Sequence, residues 1–140
     1  MDTHIVGESA FENCTSLAGV TQRTSEVPPY AFRNCKSLAL FEFNANSYGR
    51  LLIGEEAFLG CVSLPEFTIT EDITEIQDKA FYGCSSLSAV NMYPVNPPSL
   101  GEDVFTGAST DLKIYVPSQS VDLYMSSWPS LADRIVEGNF

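Results

Sequence analysis

Apolar residues recur along this chain in a pattern that returns every 21 to 26 residues. Its clearest copy runs from Ile76 to Met92, where an Ala-Phe pair is followed at fixed distances by Cys, Leu and further apolar residues. The Phe of each Ala-Phe or Val-Phe pair is the anchor of one copy, giving Phe11, Phe32, Phe58, Phe81 and Phe105. We therefore predict about five repeats between residues 1 and 117.

The same residue types stand at the same distances from each anchor. Three residues after it come Cys14, Cys35, Cys61 and Cys84, and Ala108 takes this place in the fifth copy. Six residues after it come Leu17, Leu38, Leu64 and Leu87, while Leu112 stands one place late. A unit this short cannot hold a core of its own, so the copies must stack and share one continuous core. The anchors, cysteines and leucines are the predicted core residues.

The residues nine and eleven positions after each anchor are apolar, and they alternate with polar residues along the chain. The one clear exception at these two positions is Gln22, which is polar. Alternation with a period of two is typical of a strand with one face in the core, and strands that recur once per coil form a parallel ladder. The outward side chains then line up on one extended surface. The candidate binding residues on this surface are Glu42, Glu66, Thr68, Asn91, Tyr93 and Tyr115. The alternative is that they are ordinary solvated strand residues.

The Ala-Phe-x-x-Cys segment has apolar groups at i, i+1 and i+4, which favours a short helical turn or a loop opposite the sheet. Acidic residues stand three places before four anchors, at Glu8, Glu55, Asp78 and Glu102. We interpret them as carboxylates at helix N-termini, each stabilising by about 0.3–1 kcal/mol. The alternative is a calcium site, which needs about six to eight oxygen ligands and often one compact loop that this chain lacks. We predict no metal and no cofactor.

After Pro117 the repeat stops, and residues 118–140 have a different character. Val121, Tyr124, Met125 and Trp128 follow helical spacing, and Pro129 suits the start of a second short helix, Pro129 to Val136. We predict a helical cap over the open end of the stack, with Tyr124, Trp128, Leu131 and Ile135 as its packed residues. No comparable segment precedes Ile5. This asymmetry predicts that the chain is the C-terminal piece of a longer array, or that it associates end to end through its first repeat.

The four cysteines share one repeat position, so they are predicted to form a row with neighbours about 5 Å apart. Side chains that point the same way into a packed interior seldom meet the dihedral requirement of a disulfide, and a row cannot surround a metal tetrahedrally. The fifth copy has Ala108 at this position, and alanine can replace a small buried apolar side chain but cannot coordinate a metal. We predict free, buried thiols.

Acidic side chains outnumber basic ones by 18 to 7, which gives a net charge of −11. This charge argues against a nucleic-acid partner, because phosphates would be repelled. No apolar run approaches about 18 residues, and the first residues lack the charged and apolar regions of a signal peptide. We predict no direct insertion into a membrane, and we expect any native signal or anchor to be absent from this chain.

The segments Ile53–Leu64 and Ile76–Leu87 resemble the BspA-like leucine-rich repeat, which is common in surface proteins of host-associated bacteria and some protozoa. The resemblance covers roughly residues 5–117. It implies a right-handed solenoid with a parallel β-sheet on one side and short helical turns or loops opposite. It also implies an exported, extracellular or cell-surface protein, often a lipoprotein, with a role in adhesion to host proteins or other cells.

The leading functional hypothesis is a non-catalytic module that binds a protein or a glycan through the repeated strand surface. The second is a structural spacer or terminal cap of a longer surface array. The third, a glycosidase, would use two carboxylates about 5 Å or 6.5–9.5 Å apart. No motif supports it: the sole histidine is His4, and no serine or cysteine has a recognisable base nearby in the sequence. We therefore predict a protein that is not an enzyme.

Overall fold

The computed structural model of the protein describes residues 2–3, 6–22, 26–43 and 51–140, so His4 and Ile5 lie outside the described residues. The strands are β1 (Asp2–Thr3), β2 (Gly19–Gln22), β3 (Glu26–Val27), β4 (Leu40–Phe43), β5 (Leu51–Ile53), β6 (Glu66–Ile69), β7 (Ile73–Ile76), β8 (Ala89–Met92), β9 (Ser99–Leu100), β10 (Lys113–Val116) and β11 (Ile135–Glu137). The helices are α1 (Val121–Ser127) and two 3₁₀ helices, Ser118–Ser120 and Pro129–Arg134. A full coil of the stack consists of a side strand, a turn segment around the Phe anchor, and a front strand. The turn segments are residues 8–13, 29–34, 55–60, 78–83 and 102–107.

The front strands form two parallel ladders, in the orders β1-β2-β4 and β11-β10-β8-β6. Their register places the residues nine positions after the anchors side by side, as in Val20↔Phe41 and Phe67↔Val90. These four residues are buried and the residues beside them along each strand are more exposed, so the predicted period of two is confirmed. Strand β1 pairs with β2 ahead of the first predicted repeat, which adds a front strand that the sequence pattern did not predict.

A third parallel ladder, β3-β5-β7-β9, forms the side of the stack that precedes the turn segments. Val27, Ile53 and Ile76 lie in register within it and are fully buried. The sequence pattern predicted no strands here, because elements of only two to four residues are too short to reveal a period. The neighbouring coil decides their conformation, since it supplies the partners for their backbone N–H and C=O groups.

The turn segments are runs of tight turns, so the predicted alternative of a loop is correct and that of a helical turn is wrong. Two residues in each segment have a left-handed backbone, with φ between 52° and 82°. Two places before the anchors these are Ser9, Tyr30, Glu56, Lys79 and Asp103, and two places after them Asn13, Asn34, Gly60, Gly83 and Gly107. This backbone directs amides toward the next coil: Phe58 N–H donates to Ala80 C=O at 2.8 Å. The turn segments therefore form a third set of bonds between coils.

The acidic column before the anchors does not cap helices, because the described turn segments contain none. Asp78 Oδ1 instead accepts the backbone N–H of Glu102 in the neighbouring coil at 2.8 Å. The adjacent Gln77 acts in the same way toward the coil on its other side, since its Oε1 accepts the N–H of Glu55 at 3.1 Å. Asp78 and Gln77 thus accept hydrogen bonds from backbone N–H groups of neighbouring coils, and the helix-capping interpretation is wrong.

The five anchors form a column of nearly parallel rings through the core. Successive ring centroids are 5.2–5.6 Å apart, with the planes inclined by 5–13°. Phe41 and Phe67 of the front strands form a second stack at 5.4 Å. Their rings meet the anchor rings in edge contacts at 4.8–5.3 Å. Such aromatic pairs contribute about 0.5–1.5 kcal/mol each beyond the area they bury.

Two departures from the repeat are accommodated inside the stack. Gln22, which interrupts an apolar column, is fully buried, and its Nε2 donates to Glu26 C=O at 2.6 Å. Leu112, which stands one place late, is buried, whereas Asp111 at the regular position is exposed. The first coil is less enclosed than the middle of the stack, because Phe11, Cys14 and Leu17 are only partly buried.

Residues 118–140 cover the last coil. Tyr124, Trp128 and Ile135 are buried, and Leu131 packs against the core while partly exposed. The second predicted helix, Pro129–Val136, is wrong at its C-terminal end, because a 3₁₀ helix stops at Arg134 and β11 then pairs with β10. The open edge of β10 offers backbone partners that a continuing helix would leave unused. Among the described residues, the helices are too short to span a bilayer.

Phe81→Ala is expected to destabilise the protein by about 3–5 kcal/mol, because its ring contacts the anchors on both sides and its loss leaves a cavity between coils. Chemical denaturation followed by circular dichroism measures this loss, and hydrogen exchange should accelerate in the adjacent coils as well. Tyr82→Ala is the matched control, because Tyr82 is exposed and its removal should cost little. Faster exchange confined to the coil of Phe81 would contradict the shared core.

Gly54→Ala is expected to cost about 1–3 kcal/mol, because a Cβ there would lie 2.5 Å from Pro29 N and 2.7 Å from Pro28 C in the adjacent coil. Gly7 occupies the same repeat position, but a Cβ there would have nothing within 4 Å. Gly7→Ala should therefore leave the melting temperature nearly unchanged. If thermal denaturation shows equal shifts for the two variants, the close approach of coils at Gly54 does not limit stability.

Candidate binding face

The outward side chains of the front strands, together with Tyr93 and Phe140, form what we call the front face. On the second ladder the register gives two rows, one of Thr68, Asn91, Tyr115 and Val136 and the other of Glu66, Ala89 and Lys113. Asn91 Nδ2 donates to Thr68 Oγ1 at 3.5 Å, so these two polar side chains of the first row contact each other. Three of the six predicted binding residues thus lie side by side.

Tyr93 lies just beyond the end of β8 and is 43% exposed. Its ring contacts that of Phe140, with the centroids 4.6 Å apart and the planes inclined by 57°. Tyr115 is partly buried in the row of Asn91, so the two predicted tyrosines belong to different rows. Phe140 is an exposed member of the front face that sequence reasoning missed, because no repeat position connects it to Tyr93.

The front face is interrupted between β4 and β6, which belong to separate ladders. At two other steps the residue before a front strand donates its N–H to the preceding coil, Ala39 to Ala18 C=O and Ser88 to Pro65 C=O, both at 2.9 Å, whereas at the β8/β10 step the first strand residue does so, Lys113 to Ser88 C=O at 3.0 Å. The equivalent residue before β6 is Pro65, which has no backbone N–H. Ala39 C=O therefore cannot receive a bond from residue 65, and β4 and β6 end separate ladders at this step.

The interruption opens a groove of about 300 Å³ on the surface, which we call the β4/β6 groove. Glu42 lies on the β4 side, and Glu66 and Thr68 lie on the β6 side. Beneath the groove the core is continuous, because Phe41 and Phe67 remain stacked at 5.4 Å. The groove therefore separates Glu42 from the other predicted binding residues without dividing the fold.

The cap holds the proline-rich loop, residues 94–98, that follows Tyr93. Three cap side chains donate to its carbonyl groups: Ser120 Oγ to Val95 at 2.7 Å, Tyr124 OH to Pro94 at 2.7 Å and Trp128 Nε1 to Pro98 at 3.2 Å. The loop, Glu71 and Tyr93 border a cavity of about 440 Å³. The cap residues predicted to pack against the core therefore also position a surface loop beside the front face.

On the turn segments, Arg33 contacts carboxylates of two other coils. Its Nη1 lies 2.9 Å from Glu56 Oε2, its Nε lies 3.5 Å from Glu12 Oε1, and its guanidinium carbon is 5.6 Å from the Tyr30 ring centroid. The negative charge of Glu55 raises the pKa of Tyr30. In the described parts of the chain, no three acidic, histidine or cysteine side chains converge as metal ligands, so nothing there supports the calcium alternative.

Three of the four cysteines are enclosed in the core. Cys35, Cys61 and Cys84 are fully buried and free, whereas Cys14 is free and partly buried. Each buried Sγ donates to an anchor carbonyl in the preceding coil, namely Cys35 to Phe11, Cys61 to Phe32 and Cys84 to Phe58, at 3.1–3.2 Å. Burial raises the pKa of Cys35 to about 11 and that of Cys84 to about 12, and it raises the pKa of Cys61. At neutral pH these thiols stay protonated and are poor nucleophiles.

Parallel ladders, stacked anchors and a leucine at a fixed position in most coils define a leucine-rich repeat solenoid. The chain belongs to the BspA type leucine-rich repeat family, whose repeat region of six copies matches residues 2–108. None of the curated proteins compared with the chain is significantly similar to it.

Several solved structures are similar to this chain. A leucine-rich repeat protein from Bacteroides ovatus has a TM-score of 0.72 and 26% identity, over 99% of this chain and 36% of that one. A leucine rich cell surface protein from Faecalibacterium prausnitzii has a TM-score of 0.66 and 27% identity, over 99% and 36%. The leucine-rich repeat protein of T. pallidum, at 21% identity and a TM-score of 0.57 over 100% and 80%, shares the fold. This chain spans about a third of the length of the first two proteins.

The free energy of unfolding is expected to fall as pH rises above about 9, because the unfolded chain releases thiol protons that the folded chain retains. The stabilisation from each raised pKa is fully present below the ordinary value of 9.0 and is lost toward about pH 12 for Cys84. Cys84→Ala should reduce this slope by about 1.4 kcal/mol per pH unit between roughly pH 9.5 and 11.5. Urea denaturation at several pH values measures it.

Ser85→Ala is the control for this experiment, because Ser85 is the exposed neighbour of Cys84 and has no proton to titrate in this range. Alanine is tolerated sterically at the cysteine position, since Ala108 packs there in the fifth coil. An unchanged slope in Cys84→Ala would mean that the folded protein does not retain this thiol proton.

Proposed function

We propose that this chain is a non-catalytic binding module of an exported cell-surface protein and that its front face binds a protein or a glycan, in adhesion or host interaction. The observation that carries the proposal is the exposed Tyr93–Phe140 pair next to the polar row of Asn91 and Tyr115. Tyrosine combines a large apolar ring with a hydroxyl, and aromatic residues are enriched where proteins bind ligands.

The rigidity of the front face also supports this function. Its second ladder pairs four parallel strands, β6, β8, β10 and β11, above a core in which Phe67, Val90 and Ile114 are buried. The cap bonds to loop 94–98 hold the next surface segment in place. Side chains on such a scaffold lose little conformational entropy when a ligand binds, so more of the contact energy remains as affinity.

The cell-surface location is carried over from similarity. The Faecalibacterium prausnitzii protein is described as a cell surface protein and resembles nearly the whole of this chain. An acidic chain with a net charge of −11 also remains repelled from anionic polymers, which favours protein or neutral glycan ligands.

Tyr93→Ala combined with Tyr115→Ala is expected to weaken ligand capture roughly tenfold or more, because buried aromatic anchors dominate binding at most interfaces. The purified chain would be screened on arrays of extracellular proteins and of glycans, and hits would be measured by biolayer interferometry. The double variant Tyr30→Ala and Tyr82→Ala removes the same atoms from the turn segments and should bind like the wild type. Melting temperatures confirm that both variants are folded.

Unchanged affinity in the Tyr93 and Tyr115 variant would place the ligand elsewhere on the protein. If the chain captured nothing while a longer protein containing it did, a structural spacer or terminal cap would replace the binding module as the better account.

A further inference from the structure

The β4/β6 groove is rich in hydrogen-bond acceptors. Ala39 C=O, which lines it, accepts no hydrogen bond from the described residues. Thr70 Oγ1 also lies at the groove, is buried, and has no hydrogen-bond partner among the described residues. A polar atom that is buried without a partner, as Thr70 Oγ1 is, destabilises the protein, so a ligand that supplies a hydrogen-bond donor to it is favoured.

The negative charge around the β4/β6 groove also favours a ligand that donates hydrogen bonds, and in particular a cationic one. Glu42 and Glu66 are exposed carboxylates on opposite sides of the groove, and none of the described residues that line it is Lys or Arg. The net charge of −11 adds a long-range attraction for cations. Leu40, which is 51% exposed, provides an apolar contact on the β4 side. The described part of the groove therefore combines two carboxylates, a carbonyl that accepts no bond from the described residues, and the exposed apolar side chain of Leu40.

The width of the groove limits what can enter it. Phe41 and Phe67 beneath it remain stacked at 5.4 Å, close to the 5.2–5.6 Å spacing of adjacent anchors. An inserted β-strand would need the two flanking strands to be about 9.6 Å apart, which is twice the ordinary strand spacing. A single flat guanidinium or compact ammonium group needs much less room.

We propose that the β4/β6 groove binds an arginine or lysine side chain from an extended segment of a partner protein. The cationic head donates to Ala39 C=O and to the carboxylates of Glu42 and Glu66, while its methylene stem lies on Leu40. Arginine fits best, because its planar group carries five donors and no acceptor. This inference rests on the proposed binding function and names the partner class, a protein with a basic extended segment.

The test uses an acetylated and amidated peptide of sequence Thr-Val-Arg-Val-Thr-Val and its copy with citrulline in place of arginine. Citrulline keeps the shape of the side chain but removes its charge. Isothermal titration calorimetry with the wild-type chain should show binding of the arginine peptide and at least roughly tenfold weaker binding of the citrulline peptide, the ratio that about 1.4 kcal/mol produces. Equal affinities would overturn the proposal.

Glu42→Gln combined with Glu66→Gln should weaken the arginine peptide by a similar factor. The control pairs Glu55→Gln with Glu102→Gln, which are exposed glutamates before two anchors, and so changes the net charge equally at a distance from the groove. If both double variants lose the same affinity, the attraction comes only from overall charge and the groove is not the site. Preferential binding of a chitosan oligomer over the arginine peptide would overturn the partner class in favour of an amino-sugar glycan.

Pro65→Ala supplies the missing N–H and should let residue 65 bond to Ala39 C=O. Hydrogen exchange should then show a protected amide at position 65, together with weaker peptide binding. A protected amide with unchanged peptide affinity would contradict the proposed contact.

The ligands found on the arrays separate the groove inference from the proposed binding function. If the Tyr93 and Tyr115 variant no longer binds them while the Glu42 and Glu66 variant still does, the groove inference fails and the binding function stands. If both variants still bind them, the inference and the proposed function both fail.

Discussion

Alternate amides of the turn segments, such as those of Phe58 and Gly60, donate to carbonyl groups of the adjacent coil. A single coil would leave these groups unpaired and would expose the face of its anchor ring, and both costs disappear only when another coil lies against it. The left-handed residues of each segment aim the amides in this direction. The anchor column, the parallel ladders and the row of buried thiols all depend on this contact between coils.

The β4/β6 groove shows how the front surface can change while this contact is kept. Pro65 removes one backbone donor, and the two ladders stop at β4 and β6. The turn segments still join the same two coils, since Phe32 N–H donates to Ala57 C=O at 2.9 Å. Phe41 and Phe67 also remain stacked beneath the gap. The interruption therefore affects solvent-facing backbone groups, where a ligand can replace the missing partners.

The cap has two roles, since it packs against the last coils and also positions part of the candidate binding face. Tyr124 and Trp128 are buried against the last coils, and the same two side chains donate to carbonyl groups of loop 94–98. Buried tyrosine and tryptophan need a partner for their polar atoms, and here the loop provides it. Strand β11 adds Val136 to the row of Tyr115. The cap therefore completes the front face as well as covering the end of the stack.

Spacing and alternation in the sequence determined the repeat, the buried anchors and the inward and outward sides of the front strands, because apolar burial leaves a local periodic trace. They also placed Thr68, Asn91 and Tyr115 on one surface. Only the tertiary structure decided the side strands, the direction of the turn amides, strand β11 and the contact of Phe140 with Tyr93, since each depends on groups from elsewhere in the chain. Pro65 is visible in the sequence, but its missing N–H matters only because the stacked coils bring it to the same groove as Ala39, 26 residues earlier in the chain. Backbone hydrogen bonds between coils do not impose a periodic pattern of residue types within one coil. The features that depend on them therefore could not be predicted from the sequence.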